Sequence, residues 1–157
     1  MKHGKRRKHH RVTQGFTQPG AEAYLSLQRT ADLLGRGAEE AIKGSGLSGT
    51  QYNVLRILRG AGPSGLSCGE VAERMLTRDP DITRLLDRLE KRGLVVRARD
   101  SKDRRINTVR IAPKGLRILA GLDGPMAEFH RRQLGHLGEQ RLRLMMSLLN
   151  TARVTSA

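Results

Sequence analysis

A chain of 157 residues suffices for one ordinary domain with a hydrophobic core, and its 37% apolar residues plus 18 glycines are a normal globular composition. The charge is not normal: 30 Lys and Arg against 15 Asp and Glu leave +15, with a pI near 11.4, which makes polyanions, nucleic acid first, the expected partners. Two Phe, two Tyr and no Trp argue against modules that stack bases on aromatic platforms, and one cysteine excludes an internal disulfide or a multi-cysteine metal site.

Residues 1–11 hold Lys2, Lys5, Arg6, Arg7, Lys8 and Arg11 and no acid. A run of one sign repels itself, so residues 1–19 read as a flexible basic arm. The rest still carries 24 basic residues against 15 acids, so the folded part is basic as well. The basic start lacks the apolar stretch of a signal peptide, and no apolar run approaches the ~18 residues of a membrane span. A soluble, cytoplasmic protein without membrane contact is expected.

From Ala21 the spacing of Tyr24, Leu25, Leu27, Ala31, Leu33, Leu34, Ala38 and Ile42 predicts a helix with one broad apolar face, closed by Gly44 and Gly46. Ser48 and Gln51 fit a capping box that opens a second helix ending at Gly60, and Gly60–Gly65 reads as a turn. Ser67 and Glu70 form another capping box, starting a short helix with Val71, Ala72 and Met75 inward. Asp79 as N-cap and Pro80 at the first helical position predict the next helix, which ends at Gly93. The period then changes from 3.6 to 2. Leu94–Arg99 and Ile106–Ile111 read as a hairpin whose connection, Asp100 to Arg105, is a basic tip. Pro113 opens a long helical stretch that Gly121, Gly124 and Pro125 should bend or split, and a last helix is expected from Glu139 to about Ala152.

In the helix after Pro80, Ile82, Leu85, Leu86 and Leu89 form one inward stripe, leaving Arg84, Asp87, Arg88 and Lys91 on the opposite side. With the short helix before it, this is a helix-turn-helix whose second member would enter a major groove, where arginine reads guanine edges. The Arg104–Arg105 tip suits a neighbouring minor groove or its phosphates. In the alternative, the charges are a solvated face, with Asp81 paired to Arg84 or Arg88 and Asp87 to Lys91. The basic wing immediately downstream favours DNA.

The stretches Leu47–Leu58, Val71–Arg74, Pro80–Leu94, Asp100–Arg105 and Pro113–Gly115 occur in an order and spacing that resembles the multiple-antibiotic-resistance regulator (MarR) family, over about residues 21–152. The resemblance implies a mainly α fold with a small β-hairpin wing. Residues 47–112 would be the winged helix-turn-helix, and residues 20–46 and 113–157 helices that interlock two chains into a homodimer. It also implies a transcriptional regulator, not an enzyme, that binds double-stranded DNA and is often released by a small aromatic or anionic effector or an oxidant, with no resident cofactor. Matched onto this sequence, Thr83, Arg84 and Arg88 fall at groove-facing positions. Asp103 and Arg105 match the wing pair in which the acid braces the arginine, with Arg104 their basic companion. Two residues depart from the pattern. Asp81 replaces a small hydroxyl residue and would complement the helix N-terminus or accept from a cytosine amino group. Ala112 replaces a capping threonine.

Cys68, in the first turn of a helix, is a candidate redox residue, since the N-terminal dipole favours thiolate; the alternative is a small packed cysteine. His130 and His136 are six apart and so point to different helix faces, and no metal-ligand spacing, catalytic triad or phosphate loop occurs. A non-specific architectural DNA-binding protein remains the rival class to a sequence-specific regulator.

Overall fold

The computed structural model describes residues 18–76, 81–99 and 107–154. The basic arm up to Thr17, the expected helix start at Pro80 and the wing-tip residues Asp103, Arg104 and Arg105 lie outside them. The chain divides after Gly35 into two compact units. In the first, helix α1 (Pro19–Ile42) begins two residues earlier than the periodicity predicts, with proline at its first position and the Gln18 carbonyl accepting from Ala21 N at 3.1 Å. Tyr24, Leu27 and Leu33 are exposed.

The second unit contains the last turns of α1, then α2 (Gly49–Ala61), β1 (Leu66–Ser67), α3 (Cys68–Arg74), α4 (Ile82–Lys91), β2 (Val95–Arg99), β3 (Asn107–Ile111), α5 (Pro113–Leu134) and α6 (Gly138–Val154). Both capping boxes form as expected. Ser48 Oγ accepts from Gln51 N at 3.2 Å while Gln51 Oε1 accepts from Ser48 N at 3.3 Å. Ser67 and Glu70 exchange the equivalent bonds at 3.2 and 2.8 Å. Each box satisfies two amides that a helix start otherwise leaves open. Of the three residues expected inward on α3 only Val71 is buried, because the helix ends at Arg74 and Met75 turns extended.

Two expectations change. The N-cap of α4 is Asp81, not Asp79: its Oδ1 accepts from Arg84 N at 3.2 Å. The wing sheet has three strands in the order β1-β3-β2, not two, all antiparallel. The extra strand pairs Leu66 with Val109 and Ser67 with Thr108. Gly65, at φ 73°, makes this possible, because a Cβ there would stand 2.7 Å from the Val109 carbonyl oxygen. Of the bend or split expected in α5, the split does not occur: the helix is continuous through Pro125.

The core is drawn from every layer: Val54, Leu55 and Leu58 of α2, Val71 of α3, Leu85, Leu86 and Leu89 of α4, Val95 and Val109 of the sheet, and Leu119 of α5, all buried. Further along α5, Leu122, Met126 and Phe129 continue the same stripe. Gly37 lets the end of α1 lie on the Phe129 ring, whose Cε2 is 2.5 Å from where a Cβ would sit. Helix α6 buries no residue within this chain, and its Leu144, Met146 and Leu148 are exposed.

Candidate nucleic-acid interface

The helix-turn-helix consists of α3, the connection to α4, and α4 itself. Asn53 of α2 steadies the connection, its Oδ1 accepting from Leu76 N at 3.1 Å. At the far end α4 closes in a Schellman arrangement: Gly93, at φ 69°, donates to the Glu90 carbonyl at 2.8 Å, and Leu94 N to the Leu89 carbonyl at 3.0 Å. Buried Leu89 and Leu94 seal it. Because Leu85, Leu86 and Leu89 are held inside, the opposite face must look outward, and Thr83, Arg84 and Arg88 are all exposed there.

The charges around that face are partly those of the solvated alternative. Arg84 Nε lies 3.0 Å from Asp81 Oδ2, and Arg88 Nε donates to the Arg84 carbonyl at 3.3 Å. The Arg84 side chain is 83% exposed, so breaking this pair costs about 0.2–1 kcal/mol and does not prevent Arg84 from reaching another partner. Asp87 does not pair with Lys91 as the helical spacing allowed. It faces the sheet, with its Oδ1 2.6 Å from Arg97 Nη2.

Arg97 is a partner of α4 that the sequence alone did not reveal. Its signal was present: strict alternation along β2 puts Arg97 on the same face as buried Val95, and a cation there needs acceptors. A second such residue, Arg92, follows α4 directly. Its Nη1 donates to Gln51 Oε1 at 2.9 Å and its Nη2 to the Gly46 carbonyl at 3.0 Å, tying the helix end to the α1–α2 junction. Lys114, at the start of α5, donates to the Arg92 carbonyl at 2.9 Å. On the other side of α2, Arg59 grips Asp123 of α5 with two bonds of 2.9 and 2.8 Å. That pairing holds the Asp123 carboxyl below, and the Arg59 guanidinium above, their usual values.

Cys68 is the first residue of α3 and half-buried. Among the described residues no three His, Cys, Asp or Glu side chains gather as metal ligands, and no helix is long and apolar enough to cross a membrane.

Residues 45–106 match the MarR family. The HTH-type transcriptional repressor MdtR of Bacillus subtilis is 30% identical over 113 residues, which are 69% of this chain and 72% of that protein. The chain belongs to the MarR family. It is therefore a DNA-binding transcription regulator. Among solved MarR structures, a transcription factor from Planctomyces limnophilus is 41% identical with a TM-score of 0.64, covering 87% of this chain and 99% of that one. CouR from Rhodococcus jostii RHA1, solved bound to p-coumaroyl-CoA, is 25% identical with a TM-score of 0.76, covering 87% and 95%.

Proposed function

We propose that this MarR-family protein is a ligand-responsive repressor that binds a pseudo-palindromic operator as a homodimer. Thr83, Arg84 and Arg88 read bases in the major groove, and Arg104 and Arg105, the latter braced by Asp103, reach the minor groove beside it. The observation that carries this reading is the outward presentation of Thr83, Arg84 and Arg88 on a helix whose other face is locked by Leu85, Leu86 and Leu89. Two-fold symmetry puts the half-sites about one helical turn, roughly 10 bp, apart. The exposed apolar residues of α1 and of α6 are what a dimer partner would cover. The name of MdtR supports repression, and the p-coumaroyl-CoA bound to CouR supports an aromatic, anionic effector. Such an effector acts by binding one spacing of the two reading heads better than another.

The test is selection of duplexes from a random 25-bp pool followed by titration. A recovered palindrome bound by two chains, roughly 10³-fold tighter than bulk DNA, is the expected result. Arg84→Ala and Arg88→Ala should each weaken the selected duplex by about 1–3 kcal/mol and relax the preference at one position. Selection without any consensus would favour a non-specific architectural role. A thermal-shift screen of aromatic carboxylates and their thioesters addresses the effector, since a ligand of the folded dimer raises its midpoint.

A further inference from the structure

The carbonyl of Thr83 and the carboxylates of Asp87 and Glu90 stand at i, i+4 and i+7 on α4, within an arc of about 60°. One side chain from another element meets all three. Arg97 of β2 places Nη2 3.3 Å from the Thr83 carbonyl oxygen and 2.6 Å from Asp87 Oδ1. Its Nε lies 3.8 Å from Glu90 Oε2, and its backbone N–H donates to Glu90 Oε1 at 3.3 Å. The Nε is buried and makes no hydrogen bond, so Glu90 holds it by charge alone. The side chain is only 28% exposed, and a guanidinium planted there stays.

We propose that Arg97 is a positioning residue for sequence reading: by gripping two turns of α4 along one line it fixes the rotation of that helix against the wing sheet, and so the direction in which Arg84 and Arg88 point. The apolar packing of Leu85, Leu86 and Leu89 resists separation but is poorly directional. The fork of Arg97 supplies the direction. The geometry makes rotation costly to recognition. A turn of about 20° moves a group roughly 6 Å from the helix axis by about 2 Å, several times what a hydrogen bond to a base edge tolerates. This inference rests on the reading that the exposed face of α4 contacts bases.

The experiment uses the full chain, the duplex that wild type selects from the random pool, and a shuffled duplex of the same composition. Arg97→Lys keeps the charge but cannot span three acceptors. It is expected to lower the selected-to-shuffled affinity ratio about tenfold, the equivalent of one good base contact. Affinity for the shuffled duplex, its salt slope and the footprint position should stay as in wild type. Asp87→Asn weakens the same grip from the helix side and should lower the ratio too, and the double variant should lose less than the product of the two single losses. A ratio unchanged in Arg97→Lys, or independent losses in the double variant, overturns the proposal, as does a shuffled-duplex salt slope reduced by about 0.9, which marks Arg97 as a phosphate ligand. Should Arg97→Lys fail to fold, the ratio for Asp87→Asn decides alone. Arg84→Ala and Arg88→Ala, made in parallel, separate the two readings: if they too leave the ratio untouched, α4 does not read bases and both fall.

Discussion

Replacing Gly115 by alanine tests how α5 is seated on Leu94 and β3. Gly115 is the third residue of α5 and is buried. A Cβ there would stand 2.4 Å from the Leu94 carbonyl oxygen and 2.9 Å from Ile111 Cγ1. Carbon and carbonyl oxygen come no closer than about 3.3 Å in ordinary packing, so the two backbones must part by close to 1 Å. The Leu94 carbonyl cannot yield freely, because it accepts the Ala112 amide at 2.9 Å and Leu94 itself is fully buried. Overpacking of this kind costs about 1–3 kcal/mol, and a clash with backbone belongs at the upper end. Alanine's better helix propensity returns up to about 1 kcal/mol. The net loss is about 2 kcal/mol, which for a domain of this size lowers the melting temperature by roughly 4–8 °C. Gly60→Ala is the control: that helical position has no neighbour within 4 Å, so the same substitution should raise the midpoint slightly. Thermal unfolding followed by circular dichroism reads both. A Gly115→Ala protein that melts at or above wild type would refute the requirement for glycine at this close backbone approach.

The Arg59–Asp123 pair predicts an acid-dependent difference. Because the folded state holds the Asp123 carboxyl below its ordinary value, its contribution is complete above that ordinary value, about 3.9, and is lost as pH falls through the lowered one. Melting temperatures of wild type and Asp123→Asn should therefore differ at pH 7 and converge below about pH 4; a gap that persists in acid argues against the pair. Ala112 caps α5 without a side-chain bond, so Ala112→Ser should stabilise the protein by roughly 0.5–1 kcal/mol in a urea titration. Ser67→Ala removes one half of a formed capping box and should cost about 1 kcal/mol in the same assay. Deleting residues 2–11 removes six basic side chains. If the arm binds phosphates, the log–log salt slope for any duplex should flatten by about 0.9 for each phosphate no longer neutralised, with sequence preference unchanged; an identical slope assigns the arm to solubility alone.

What the sequence disclosed was chemistry between near neighbours. Both capping boxes, the inward stripe of α4, Gly93 as its terminator and the two long strands follow from spacing within one element, where the partners are three or four residues away. The departures arise where two local signals compete or where the partner is distant. Asp79–Pro80 and Asp81 each satisfy a helix-start pattern, and the observed bond from Arg84 N selects Asp81. Strand β1 is two residues long, too short for any period to show, and it forms only because β3 offers an unpaired edge and Gly65 can approach it. Ala112 was legible as a missing cap only through the family resemblance, where a threonine stands at that position.

The same distinction divides the site. Which side chains α4 turns outward depends on which positions its leucines occupy, so Arg84 and Arg88 can be picked from the spacing before any fold is known, whereas Thr83 comes only from the family resemblance. Where they aim depends on Arg97, 7–14 residues away on a strand, and on Arg92, whose partners Gly46 and Gln51 lie more than forty residues upstream. A cation on the inward face of a strand announces that it needs acceptors without saying which. Two α4 helices with identical outward residues can therefore point them differently if their strand partners differ. It follows that Asp87, Glu90 and Arg97 belong in any comparison of sequence preference between this protein and its MarR relatives, alongside the exposed Thr83, Arg84 and Arg88.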